Sequence, residues 1–119
     1  MSAADLGRNA ETAVADCLFA DGFSVLGRNV RVGRLELDVV AQRGPLVVIV
    51  EVRARRPGAL VGAFASVTAA KRERVRLAVQ RLWRERLSAM QSVERVRIDV
   101  AAVTFARGQT TIEYAEGAL

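Results

Sequence analysis

Histidine is absent from this chain of 119 residues, and cysteine occurs once, as Cys17. Composition therefore excludes a disulfide framework within the chain and a zinc site of Cys and His ligands. The same absence removes Ser/His and Cys/His nucleophiles, because the base they need is missing. Any metal has to be held by oxygen. Aromatic residues are only 5%, too few for the stacking platforms that bind single strands, which favours a duplex or branched form if the partner is a nucleic acid. The longest strongly apolar run, Leu46 to Val50, falls far short of the ~20 residues that span a bilayer as a helix. The N-terminus carries Asp5 and Glu11 among alanines and lacks the basic start and apolar stretch of a secretory signal. A cytoplasmic protein without a membrane span is expected.

What the chain does contain is apolar residues at 51% and a net charge of +5, with mean hydropathy +0.18 and a pI near 10.9. The first places it among folded chains, as one domain over residues 1–119; the second favours polyanionic partners, nucleic acid foremost. Of the 18 cations only Lys71 is a lysine. The rest are arginines, whose forked guanidinium suits phosphate, although a general preference for arginine accounts for much of that bias.

Helical spacing of Leu6, Ala10, Ala13, Val14, Cys17 and Leu18, closed by Gly22, predicts a helix over about 4–20. Alternation predicts strands over 23–32 and 35–39, separated at Gly33, and the run Leu46–Val50 after Arg43-Gly44-Pro45 reads as a central strand buried on both faces. Beyond it Glu51, Arg53 and Arg55 share one face until Pro57 and Gly58 end the strand. A flexible segment, Gly58 to Gly62, leads to Thr68 as N-cap of a helix with the stripe Val75, Ala78, Val79, Leu82 and Trp83, the last either core or interface. Strands over 95–100 and 110–114 complete the order α-β-β-β-α-β-β.

Asp38 and Glu51 are the candidate chemistry. Two hard carboxylates a few ångströms apart suit Mg²⁺ or Mn²⁺ and leave positions for phosphate oxygens, while Arg53 on the Glu51 face can neutralise developing charge. The alternative is an exposed pair bridged to Arg53 or Arg34, worth little to stability. With strand ends at Asp38 and Glu51, a simple hairpin puts the two at opposite ends unless the register is staggered or the strands bend. Glu36 competes as a ligand on the face of Asp38. Arg53, Arg55, Arg56, Arg72, Arg74 and Arg76 can line a phosphate track or a solvated face.

These residues, with Gly7 to Glu11, Arg28-Asn29, Glu36-Leu37-Asp38, Val50 to Arg55, Thr68 to Lys71 and Arg97-Ile98-Asp99 in that order, resemble the YraN-like family of uncharacterised bacterial proteins. The resemblance runs from Gly7 to about Ile112 and implies an α/β restriction-endonuclease-like PD-(D/E)xK fold, an αβββαβ core with a mixed central sheet flanked by helices. It further implies a site similar to that of Holliday-junction resolvases, with Glu11, Asp38, Glu51 and position 53, in which Glu11, Asp38 and Glu51 hold metal. Three positions depart from the pattern: Arg53 stands for the lysine, Leu35 for the glycine before Glu36, and Ala10 for the glycine before Glu11. Arginine cannot act as a base near neutral pH. Lys71 either replaces the missing lysine or belongs to a solvated turn with Arg72, Glu73 and Arg74.

The expected function is a metal-dependent endonuclease acting on duplex or branched DNA, as a homodimer. The alternatives are a weak or inactive nucleic-acid-binding module on the same fold and a dimeric interaction protein with an incidental basic face.

Overall fold

The computed structural model describes residues 2–57 and 67–119. Its elements are α1 (Ala3–Ala20), β1 (Ser24–Val32), β2 (Leu35–Arg43), β3 (Leu46–Arg55), α2 (Ala69–Glu85), a 3₁₀ turn at Leu87–Ala89, β4 (Arg95–Ala106) and β5 (Gln109–Ala115). The order is the expected one, and the strands form one sheet in the order β1-β2-β3-β4-β5. The proposed flexible stretch Gly58 to Gly62 lies outside the described residues.

Helix α1 starts on a capping box in which Ser2 accepts from Asp5 N–H and Asp5 reaches back to Ser2, satisfying donors that a helix start leaves open. Neighbours β1/β2, β2/β3 and β4/β5 are antiparallel, whereas β3 and β4 run parallel. A parallel pair needs a crossover, and α2 supplies it. The sheet is mixed, as the restriction-endonuclease-like core requires.

The two helices cover opposite faces. Ala10, Val14 and Leu18 of α1 pack with Val39, Ala41, Val48, Val50, Ala101 and Val103. Val75, Ala78, Val79 and Leu82 of α2 pack with Leu37, Val40, Val47 and Ile49, and Trp83 joins that core partly buried. Every β3 residue from Leu46 to Glu51 is buried, as a strand covered on both faces must be.

Strand β2 is longer than its alternation suggests, running to Arg43, and it contains an irregularity. Leu37 belongs to the α2 side while Val39, two residues on, belongs to the α1 side; regular alternation would keep them together. Arg28 pairs with Val39 and Val30 with Leu37, so Asn29 lies opposite Asp38, and Asn29 has a φ of 51°. Both strands change face here, and the outer half of the hairpin turns over α2.

Candidate active site

Residues Val39 and Val50 form the last pair of the β2/β3 ladder towards the open end of the hairpin. Extending that register by one residue sets Asp38 opposite Glu51. The opposite-ends expectation is therefore corrected: because β2 continues to Arg43 and turns at once through Gly44-Pro45 into Leu46, Asp38 lies near the beginning of its strand, at the same end of the pair as Glu51. No stagger is needed.

Where the ladder stops, the Asp38 side chain takes over. Its Oδ2 accepts from the Val52 N–H at 2.8 Å, anchoring the carboxylate against β3. Burial pushes the Asp38 carboxyl up to about 6, helped by the adjacent Glu51 charge and a hydrogen bond shared with Glu51; the Val52 N–H and Lys71 pull the other way. The elevation is thus first a consequence of burial, to which the neighbouring carboxylate adds.

Glu51 is only 5% exposed, so its charge needs partners. Lys71 Nζ lies 3.5 Å from its Oε1 and Arg53 Nη2 lies 4.0 Å from the same atom. Lys71 is positioned by the start of α2, where the Thr68 side chain accepts from its backbone N–H at 3.2 Å. The one lysine of the chain is therefore part of this cluster rather than of a solvated turn. Arg53 also carries a buried Nε with no hydrogen bond among the described residues.

The structure thus joins Asp38, Glu51, Arg53 and Lys71. Glu11 reaches the same level of the sheet by another route: its Oε1 accepts from Asn29 Nδ2 at 3.3 Å and lies 3.7 Å from Arg28 Nη2, and Asn29 is the residue opposite Asp38. Among the described residues no three acidic side chains form a group able to hold a metal, so the donor set in hand is Asp38 and Glu51. Glu36 is turned to Arg31, 3.2 Å away. Arg55 pairs with Glu113 at 3.7 Å, and Arg56, Arg72, Arg74 and Arg76 are exposed.

The most deeply buried charge is elsewhere. Asp99 has no exposed surface and accepts from Arg97 Nε at 2.8 Å, Arg97 Nη2 at 3.0 Å, the Tyr114 hydroxyl, and the Gly117 N–H at 2.8 Å. Burial and this bond push the Tyr114 hydroxyl up, and the bond to Asp99 pushes the Arg97 guanidinium up. With every acceptor direction used, this cluster fastens β5 and the C-terminal turn to β4. In the sequence Arg97-Ile98-Asp99 shows an alternating strand and a piece of the family resemblance, and the one signal of the cluster is an Asp on the same strand face as Arg97.

A family model, that of the uncharacterised protein family UPF0102, matches residues 10–103. The chain belongs to that family. Its UPF0102 relatives include a protein of Sorangium cellulosum, 50% identical over 114 residues covering 95% of this chain and 79% of the relative. One of Streptomyces coelicolor is 40% identical, covering 94% and 86%, and one of Pseudomonas aeruginosa 38% identical, covering 92% and 86%. The span matched by the UPF0102 model includes Glu11, Asp38, Glu51, Lys71 and Asp99.

Proposed function

We propose that this protein is a Mg²⁺- or Mn²⁺-dependent endonuclease that hydrolyses phosphodiester bonds of duplex or branched DNA. The reading is carried by the Asp38–Glu51 pair with Lys71 and Arg53 beside it. Two mutually repelling carboxylates without a soft ligand fit a hard divalent cation, and they would hold it together with water. Such a cation supplies charge neutralisation and a more acidic water. Lys71, 3.5 Å from Glu51, and Arg53 are the cations that neutralise phosphate charge as it builds. Lys71 fills the role of the lysine that Arg53 replaces. A net charge of +5 supports a polyanionic substrate.

A branched substrate cut on two strands calls for two sites, so the active form is a homodimer; cleavage of a junction by a monomer in sedimentation would remove that part. The binding-module reading has one observation of its own: Glu51 is already ion-paired to Lys71 and Asp38 already hydrogen-bonded, a cluster satisfied without metal. The experiment that separates the two is cleavage of labelled duplex, single-stranded and four-way-junction DNA with Mg²⁺ or Mn²⁺. Cutting by the wild type that is lost in Asp38→Ala and Glu51→Ala supports the nuclease; binding of all forms without cutting supports the module.

A further inference from the structure

The cleft between the β1–β2 turn and α2 has a volume of about 570 Å³ and is lined by Val32, Gly33, Arg34, Leu35, Arg74, Leu77, Ala78 and Arg81. Three of these are arginines and none is acidic, and Arg81 pairs through its Nε with Glu85 at 2.8 Å, so that it is the Nη groups that it offers to the cleft. Arg81 comes from α2 and lies over the turn so closely that a Cβ on Gly33 would meet its Nη1 at 3.0 Å. Between the arginines stands Leu77, 55% exposed although it sits in the middle of a helix whose other large aliphatic residues are buried.

The position of the cleft ties it to the carboxylates. Lys71, Arg74, Ala78 and Arg81 recur at helical spacing and form one stripe of α2. The ten residue steps from Lys71 to Arg81 rise roughly 15 Å at 1.5 Å per residue, enough to lie along several phosphates of one strand, each of which advances roughly 3.4 Å along the duplex axis. The other wall, Gly33-Arg34, is the tip of the hairpin that turns over α2 at Asp38. At the far end of the stripe Lys71 lies 3.5 Å from Glu51.

We propose that this cleft seats the sugar-phosphate backbone of a duplex nucleic acid, with Arg34, Arg74 and Arg81 donating to successive phosphates and Leu77 lying against the sugars. The proposal rests on the endonuclease reading for the link from the cleft to Glu51, but binding here does not require cutting. Charge complementarity selects the occupant: a row of guanidiniums around an apolar centre, without a carboxylate in the lining, suits a regularly spaced polyanion with apolar sugar edges.

The test is binding of a fluorescent 20-base-pair duplex across a salt series. It uses the wild type and the single and triple alanine variants of Arg34, Arg74 and Arg81, all exposed, without metal so that nothing is cut. Each lost phosphate contact should lower the slope of log K against log salt by about 0.9, and the triple variant should lose roughly two to three units of slope. Circular dichroism melting of the variants checks that they fold. An unchanged slope in a folded triple variant overturns the proposal even if the wild type cuts DNA. A lost slope in a protein that never cuts supports it while removing the nuclease reading. A wild type that ignores the duplex but binds polyglutamate overturns it in favour of an acidic protein partner, and one that binds neither overturns it outright.

Discussion

Leu37 and Val39 stand two residues apart in one strand yet pack on opposite faces of the sheet, and the residue between them is Asp38. The strand changes face where its side chain leaves the ladder to accept from the Val52 N–H. Asn29, opposite, takes the positive φ that lets β1 follow. A break in the sheet is thus what frees a carboxylate to face Glu51.

Asn29 should therefore be sensitive to backbone freedom rather than to size. Both Asn29→Gly and Asn29→Ala remove the Nδ2 donor to Glu11, which keeps Arg28 beside it, but glycine tolerates the positive φ whereas alanine costs about 1–2 kcal/mol there. Urea unfolding of both variants checks this: alanine should be the less stable of the two.

Asp38 should cost stability at neutral pH. Its folded-state value near 6 lies above its ordinary 3.8, so the folded state holds this proton more tightly and stability falls as pH rises from about 4 to about 6. Glu51, Lys71 and Arg53 are the charges around it. Asp38→Asn keeps an acceptor for Val52 and removes the charge. It should gain roughly 1–3 kcal/mol at about pH 7.5 and nothing at about pH 4. Denaturant midpoints at the two pH values measure the difference.

Lys71 should matter more to turnover than Arg53. Lys71→Ala should lower the cleavage rate by roughly 10²–10³, the usual loss of one stabilising donor. Arg53→Lys should stay within about an order of magnitude of the wild type, because position 53 then supplies charge without replacing a base. Single-turnover cleavage of a labelled duplex compares the two.

The Asp99 cluster should be structural. Asp99→Ala strands Arg97 and Tyr114 and should cost about 3 kcal/mol or more, while Tyr114→Phe should cost about 1 kcal/mol. Neither should alter the response to Mn²⁺, which thermal melting with and without the metal reports.

Local pattern carried the α2 stripe from Val75 to Leu82, the Thr68 cap, the central apolar strand from Leu46 and the pairing of Asp38 with Glu51 as candidates. It failed where long-range contact decides. The alternation of β2 ends at Val39 because Val39, Val40 and Ala41 are all buried, one side or the other; the continuation from Val40 to Arg43 is what brings Asp38 level with Glu51. The alternation of β4 ends early for the same reason, since Val100 to Val103 are buried throughout. The Glu11 contacts depend on where α1 crosses β1, and the burial of Asp99 depends on Tyr114 and Gly117 arriving from later in the chain. Neither has a local signature.

On the proposed function, Asp38 and Glu51 together hold one divalent cation. Calorimetric titration of Mn²⁺ into the wild type, Asp38→Asn and Glu51→Gln at about pH 7.5 and about pH 5.5 tests it, because a cation that displaces the Asp38 proton binds more weakly and releases more protons at the lower pH. One Mn²⁺ should bind per wild-type chain, more weakly at the lower pH, and none should bind in either variant. Binding that survives in both variants, or a wild type that takes up no Mn²⁺ at either pH, would contradict it.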